Sequence, residues 1–155
     1  MDVTADELAG VVDLFGGLSR DELERALVEL AARTDGATVD ETVVDDQLHA
    51  AIDSFALIPY ELDGTDRYVA GPTAYPELPG HAEDLPHILD VPVREVDRNV
   101  LGSRVADRFE EAVDEAVDAG DNSRARWLLD ASYDVEAWAP VDLDSHRDRL
   151  DDLLE

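Results

Sequence analysis

Three times in its opening stretch the chain places a hydroxyl residue, two spacers and a glutamate in a row. The matches are Thr4-Ala5-Asp6-Glu7, Ser19-Arg20-Asp21-Glu22 and Thr38-Val39-Asp40-Glu41. In such a capping box the hydroxyl accepts from the backbone three residues on, and the glutamate accepts from the backbone of the hydroxyl residue. Together they satisfy two of the donors that a helix start leaves open. Each match is followed by an apolar stripe of helical period: Leu8, Val11, Val12 and Phe15; then Leu23, Ala26, Leu27, Leu30 and Ala31; then Val44, Leu48, Ala51, Ile52 and Phe55. Gly16-Gly17 and Thr34-Asp35-Gly36 end the first two. The spacing predicts three short helices joined by tight loops over residues 4–55.

The period then changes. Ala56 to Leu62 is short and apolar, Asp63-Gly64 signals a turn, and Arg67-Tyr68-Val69-Ala70 resumes, which predicts a β-hairpin with Pro59 on an edge strand. Residues 71–92 are proline-rich and predict an irregular connection, with one helical turn around Glu83 to Leu89. Helix returns in the second half: Leu101, Val105, Phe109, Ala112, Val113, Ala116 and Val117 keep one face until Gly120. Asp121 or Ser123 is expected to cap a further helix through Trp127, Leu128 and Ala131, and Asp144 or Ser145 a last one through Leu150, Leu153 and Leu154. Tyr133 to Val141 is ambiguous in period, with Trp138 and Pro140 suggesting a packed turn. The expected class is mainly α with one small β-hairpin, in three parts: residues 1–72, a proline-rich connection over 73–92, and a C-terminal helical region over 93–155.

Charge narrows the setting more than the function. Of the 155 residues, thirty-nine are Asp or Glu and twelve are arginine, with no lysine, for a formal charge of −27. Disorder needs low hydrophobicity, whereas 45% of this chain is hydrophobic and regularly spaced. Like charge at this density opposes the compact state at ordinary ionic strength. At about 1 M salt the Debye length falls to roughly 3 Å and the repulsion fades. Arginine without lysine suits that solvent, because guanidinium is weakly hydrated and pairs carboxylates through two hydrogen bonds. The expectation is a cytoplasm rich in salt. The absence of cysteine excludes disulfides and thiolate metal sites. The opening Met1-Asp2-Val3-Thr4 lacks a basic or apolar leader, and acidic polar faces exclude a membrane-surface helix.

Few residue groups carry chemistry. His81, Asp84 and His87 are the candidate metal ligands, because imidazole and carboxylate together suit divalent ions, but their spacing matches no established ligand pattern. An enzyme built on 81–87 is accordingly the third reading. Asp144-Ser145-His146 holds the residue types of a catalytic triad, yet neighbours on a helix start do not face one another. No glycine-rich phosphate loop is present, and no cofactor is expected. Trp127, Trp138 and Tyr133 are concentrated aromatics that either anchor the C-terminal helices or centre a partner surface. Arg94, Arg98, Arg104 and Arg108 form the densest basic group.

Three capped helices followed by a hairpin resemble a winged-helix domain, with Ser19–Ala32 as its second helix and Asp40–Phe55 as the recognition helix. That resemblance implies DNA reading, and the residues oppose it. Phosphates and base edges call for arginine or lysine, whereas no basic residue lies between Arg33 and Arg67, and Asp40, Glu41, Asp45, Asp46 and Asp53 load the supposed recognition helix. The chain as a whole is similar to an uncharacterised family of small acidic haloarchaeal proteins. The segments TADELAGVVDLFGGLSRDELERAL from Thr4, AEDLPHILDVP from Ala82 and SYDVEAWAPVDL from Ser132 carry that likeness, which implies a salt-rich cytoplasm and no particular activity. The expected role is a non-enzymatic regulatory or protein-interaction module with a protein partner or a second copy of itself. The alternative is a DNA-binding regulator using the hairpin and the Arg94–Arg108 cluster.

Overall fold

The computed structural model describes residues 3–34, 39–62 and 64–155. It divides into two compact units, Met1–Val96 and Asp97–Glu155.

The first unit begins with α1 (Ala5–Phe15), whose cap is a complete box. Thr4 Oγ1 accepts from Glu7 N at 3.1 Å, and Glu7 Oε1 accepts from Thr4 N at 3.1 Å. Gly16, at φ +80°, stops the helix in the left-handed region. A two-residue strand β1 (Leu18–Ser19) follows, then α2 (Arg20–Thr34). The second box is present at its start, with Ser19 N donating to Glu22 Oε1 at 2.9 Å and Ser19 Oγ accepting from Glu22 N at 3.2 Å. Thr38, the hydroxyl of the third match, lies outside the described residues. The helix it was expected to cap, α3 (Glu41–Asp53), is capped instead by Asp40, which accepts from Thr42 N at 2.8 Å. Phe55 does not continue the stripe of α3. It is buried at φ +60°, beyond the helix end, and turns the chain into the sheet.

Strands β2 (Leu57–Leu62) and β3 (Thr65–Ala70) form the expected hairpin, with Pro59 opposite Tyr68 and Tyr60 opposite Arg67. β1 adds to the far side of β3, Leu18 pairing with Tyr68, so the antiparallel sheet has the order β1-β3-β2 and Pro59 sits on an edge strand. Leu8, Val11, Val12, Phe15, Leu23, Leu27, Leu30, Val44, Leu48 and Leu57 make the shared core. Burying each of these large side chains contributes about 1.5–3 kcal/mol. The proline-rich stretch joins the same core through Ala82, Leu85 and Val91, and carries one helical turn, α4 (Leu85–Ile88). Gly10 makes this possible. A Cβ there would collide with the Glu77 carbonyl, whose backbone N–H donates to Asp6 O at 3.0 Å.

The second unit holds α5 (Arg98–Ala119), α6 (Asn122–Trp138) and α7 (Asp144–Leu154). Asp97 caps α5 and Asp121 caps α6 through Arg124 N at 3.0 Å. Gly102, in the first turns of α5, is buried against Val141. Tyr133 to Trp138 is helix rather than a packed turn, because Ala131, Val135 and Trp138 extend the buried stripe begun by Ala125 and Leu128. α7 begins at Asp144 without a side-chain cap. No helix among the described residues is long and apolar enough to cross a membrane.

Candidate functional site

The sequence pattern of α3 dictates its two sides. Val44, Leu48 and Ala51 are buried, which turns Glu41, Asp45, Asp46, His49 and Asp53 to solvent. One edge of this acidic side meets α2, where Arg20 bridges Asp45 at 2.9 Å and Glu24 at 3.0 Å. Burial disfavours that cation, but its hydrogen bonds to Asp45 and Glu24, and their fields, outweigh burial and raise the guanidinium pKa. Glu41 crowds the same edge. Its hydrogen bond with Glu24, reinforced by the Glu24 charge, holds its carboxyl above the ordinary range. Three carboxylates thus gather around a single guanidinium, and the edge stays negative. Arg67 on β3 is half-buried beside the hairpin rather than projecting from its tip.

The basic cluster expected from Arg94 to Arg108 is divided by sequence between the two units. Arg94 belongs to the first unit, where it locks the passing chain over Gly16-Gly17. Its two Nη atoms donate to Glu22 Oε1 and Oε2 at 2.7 and 2.9 Å, Nη1 donates to Gly17 O at 2.9 Å, and its backbone N–H donates to Phe15 O at 2.6 Å. That pairing, against the opposing effect of burial, takes the Glu22 carboxyl down to about 2. Arg98, Arg104 and Arg108 lie on α5 in the second unit, the first two exposed and the third half-buried. At about 100° per residue, Arg104 and Arg108 share a side of the helix and Arg98 does not. The guanidinium of Arg98 stands 5.0 Å over the Trp138 ring.

Next to the Arg94 lock lies a polar group with no hydrogen-bond partner among the described residues. The Tyr60 hydroxyl is buried against Gly17 and is pushed to a higher pKa by burial. A buried donor left unsatisfied carries its full desolvation cost, so Tyr60→Phe should be neutral or stabilising by up to about 1 kcal/mol. Urea unfolding checks this; a loss of stability on removing the hydroxyl would reveal a bond made in solution.

The aromatics of the second unit divide between interior and surface. Trp138 is buried, Trp127 is half-buried beneath the guanidinium of Arg124 at 4.6 Å, and Tyr133 is 62% exposed, with Arg147 at 4.7 Å from its ring. His81, Asp84 and His87 are all exposed and do not converge as ligands. Among the described residues the only such convergence is Glu136, Asp142 and Asp144. Arg147 supplies the positive charge there. It pairs Glu136 at 2.9 Å, also binds Asp144, and donates to Ser132 Oγ at 3.2 Å. Its hydrogen bond, joined by Leu143 N, lowers the Glu136 pKa. This network fastens α7 to α6. The sequence hint was the pair of acids flanking Leu143, although their partner, Glu136, was hidden inside what read as a turn. His146 is half-buried, with its ring centroid 5.9 Å from that of Phe109.

The chain belongs to the family of unknown function DUF7109, whose model matches residues 6–155. No curated protein matches it, and neither does any solved structure.

Proposed function

We propose that this family member is a non-enzymatic protein-interaction module built on a winged-helix-like first unit and working in a salt-rich cytoplasm. The element order α1-β1-α2-α3-β2-β3, with a sheet ordered β1-β3-β2, supports the winged-helix reading. The observation that carries the functional half is the outward side of α3. In a DNA reader that side is the docking surface, and here it offers the acids Glu41, Asp45, Asp46 and Asp53, with Asp45 bridged at its edge by Arg20 of α2. Bringing it to a phosphate backbone sets like charge against like charge; bringing it to a basic protein surface does the reverse. The formal charge of −27, carried without lysine, supports a salt-rich setting and a haloarchaeal source.

A labelled mixed-sequence DNA duplex titrated with the chain across a KCl series tests this directly. The expected result is no binding tighter than about 10⁻⁴ M, the weak end of non-specific association. Circular dichroism over the same series should show the helices melting as salt is withdrawn. Capture from lysate of the source cell in concentrated KCl should yield a partner that Asp45→Arg/Asp46→Arg no longer retains. A saturable DNA shift, or retention unaffected by that charge reversal, would sink the proposal.

A further inference from the structure

The last helix leans on its seat more than on its own sequence. At eleven residues, α7 is shorter than a helix that stands alone in water. Leu143, at its N-cap, offers no side-chain acceptor, and Asp142 meets one of the open donors, Asp144 N, at 3.0 Å. Asp151, Asp152 and Glu155 crowd the negative pole at the other end, with no cation in the last turn. Burial does not compensate. α5 buries seven residues and α6 six, whereas α7 buries Leu150, joined by Leu143 just before it. What holds the helix is Arg147. Its Nη1 meets Glu136 Oε1 at 2.9 Å and donates to Ser132 Oγ at 3.2 Å, Nη2 donates to Glu136 Oε2 at 3.1 Å, and the guanidinium lies over the Tyr133 ring. Ser132 is fully buried and Glu136 half-buried, so they form a socket for one forked cation. The ion pair to α5, Arg149 with Asp114 at 2.7 Å, is exposed and adds little.

We propose that α7 is a releasable latch over a seat on α5 and α6, and that the seat takes a partner protein's helix bearing an arginine and, three residues later, a leucine. The occupant is read from the one already seated, since Arg147 and Leu150 lie one turn apart on the same side of α7. Packing alone does not call for an arginine there, because a buried ion pair gains little over an apolar contact of similar size. The socket serves selection instead: any other helix leaves Glu136 and Ser132 unpaired. Pro140 cannot carry helix on from α6 into α7, so α7 can leave while α6 stays formed. Release uncovers the Phe109 ring, which packs against His146. The latch concerns the second unit alone and does not depend on what the acidic side of α3 meets.

Hydrogen exchange of the full chain in about 1 M KCl reads the latch. The amides of α7 should exchange about tenfold faster than those of α5 and α6. Arg147→Met should speed α7 about tenfold further and leave α5 and α6 unchanged. The seat is probed with a fluorescent peptide of residues 142–155, itself acidic, so attraction to an acidic body cannot mimic binding. Anisotropy should show the Arg147→Met chain binding this peptide about tenfold more tightly than the wild type, whose own α7 competes at roughly millimolar effective concentration. A peptide that itself carries Arg147→Met should bind neither chain. Exchange in α7 no faster than in α5, or joint loss of all three helices in the variant, would overturn the proposal. So would equal peptide binding by the two chains, or none by the variant.

Discussion

Gly16→Ala should destabilise the first unit by about 3 kcal/mol, a fall of roughly 12–24 °C in its melting temperature. Two costs combine. Gly16 sits at φ +80°, where an alanine loses about 1–2 kcal/mol against its preferred backbone. The second cost is steric. The new Cβ would overlap the Arg94 carbonyl oxygen and carbon, both backbone atoms with no rotamer to yield. Displacing that segment also breaks the bond from Arg94 N to Phe15 O, worth about 1 kcal/mol. Gly120 provides the control. It too has positive φ, at +62°, but a Cβ there meets nothing within 4 Å. Gly120→Ala should therefore cost only the backbone preference, about 1 kcal/mol. Thermal unfolding followed by circular dichroism at constant salt reads both, and equal losses for the two variants would show that the Arg94 crossing contributes nothing.

What was legible in the sequence follows from the range over which each interaction acts. The caps at Thr4 and Ser19 were plain because all their partners lie within three residues, and the long helices because burial repeats along them. β1 was not legible. Two residues cannot show an alternating period, and Leu18 pairs with Tyr68, far along the chain. The helical character of Tyr133 to Trp138 was obscured by weak helix formers whose buried neighbours are supplied by other helices. The packing of the proline-rich stretch left one usable signal, Gly10 inside an otherwise well-formed helix. A mid-helix glycine costs about 0.5–1 kcal/mol relative to alanine, and its retention marks a close backbone approach, here Glu77. The acidic side of α3 was visible from composition alone. The pairing of Arg94 with Glu22 was not, because 72 residues separate them along the chain.

That pairing sets a pH-dependent term in stability, and Glu22→Gln should cost about 2 kcal/mol at neutral pH and almost nothing near pH 2. Glutamine keeps an oxygen for Ser19 N, so the cap survives and mainly the charge is lost. The hydrogen bonds from Arg94 come first in holding the Glu22 carboxyl at about 2 against an ordinary 4.5, with burial opposing them. Each unit of such a difference corresponds to about 1.36 kcal/mol. The 18% exposure of the side chain leaves room for solvent screening, which brings the total of about 3 kcal/mol down to about 2. A depressed carboxyl binds its proton more readily in the unfolded chain. Its contribution is therefore complete above pH 4.5, declines as acid protonates the unfolded state first, and is gone once the pH passes below about 2. Subtracting the variant's stability from that of the wild type, in matched salt, removes the effect of neutralising the other carboxylates, which both proteins share. A double-mutant cycle with Arg94→Met should return a coupling of about 1–3 kcal/mol at pH 7. A gap between wild type and Glu22→Gln that persists unchanged to pH 2 would assign the loss to packing rather than to the ion pair.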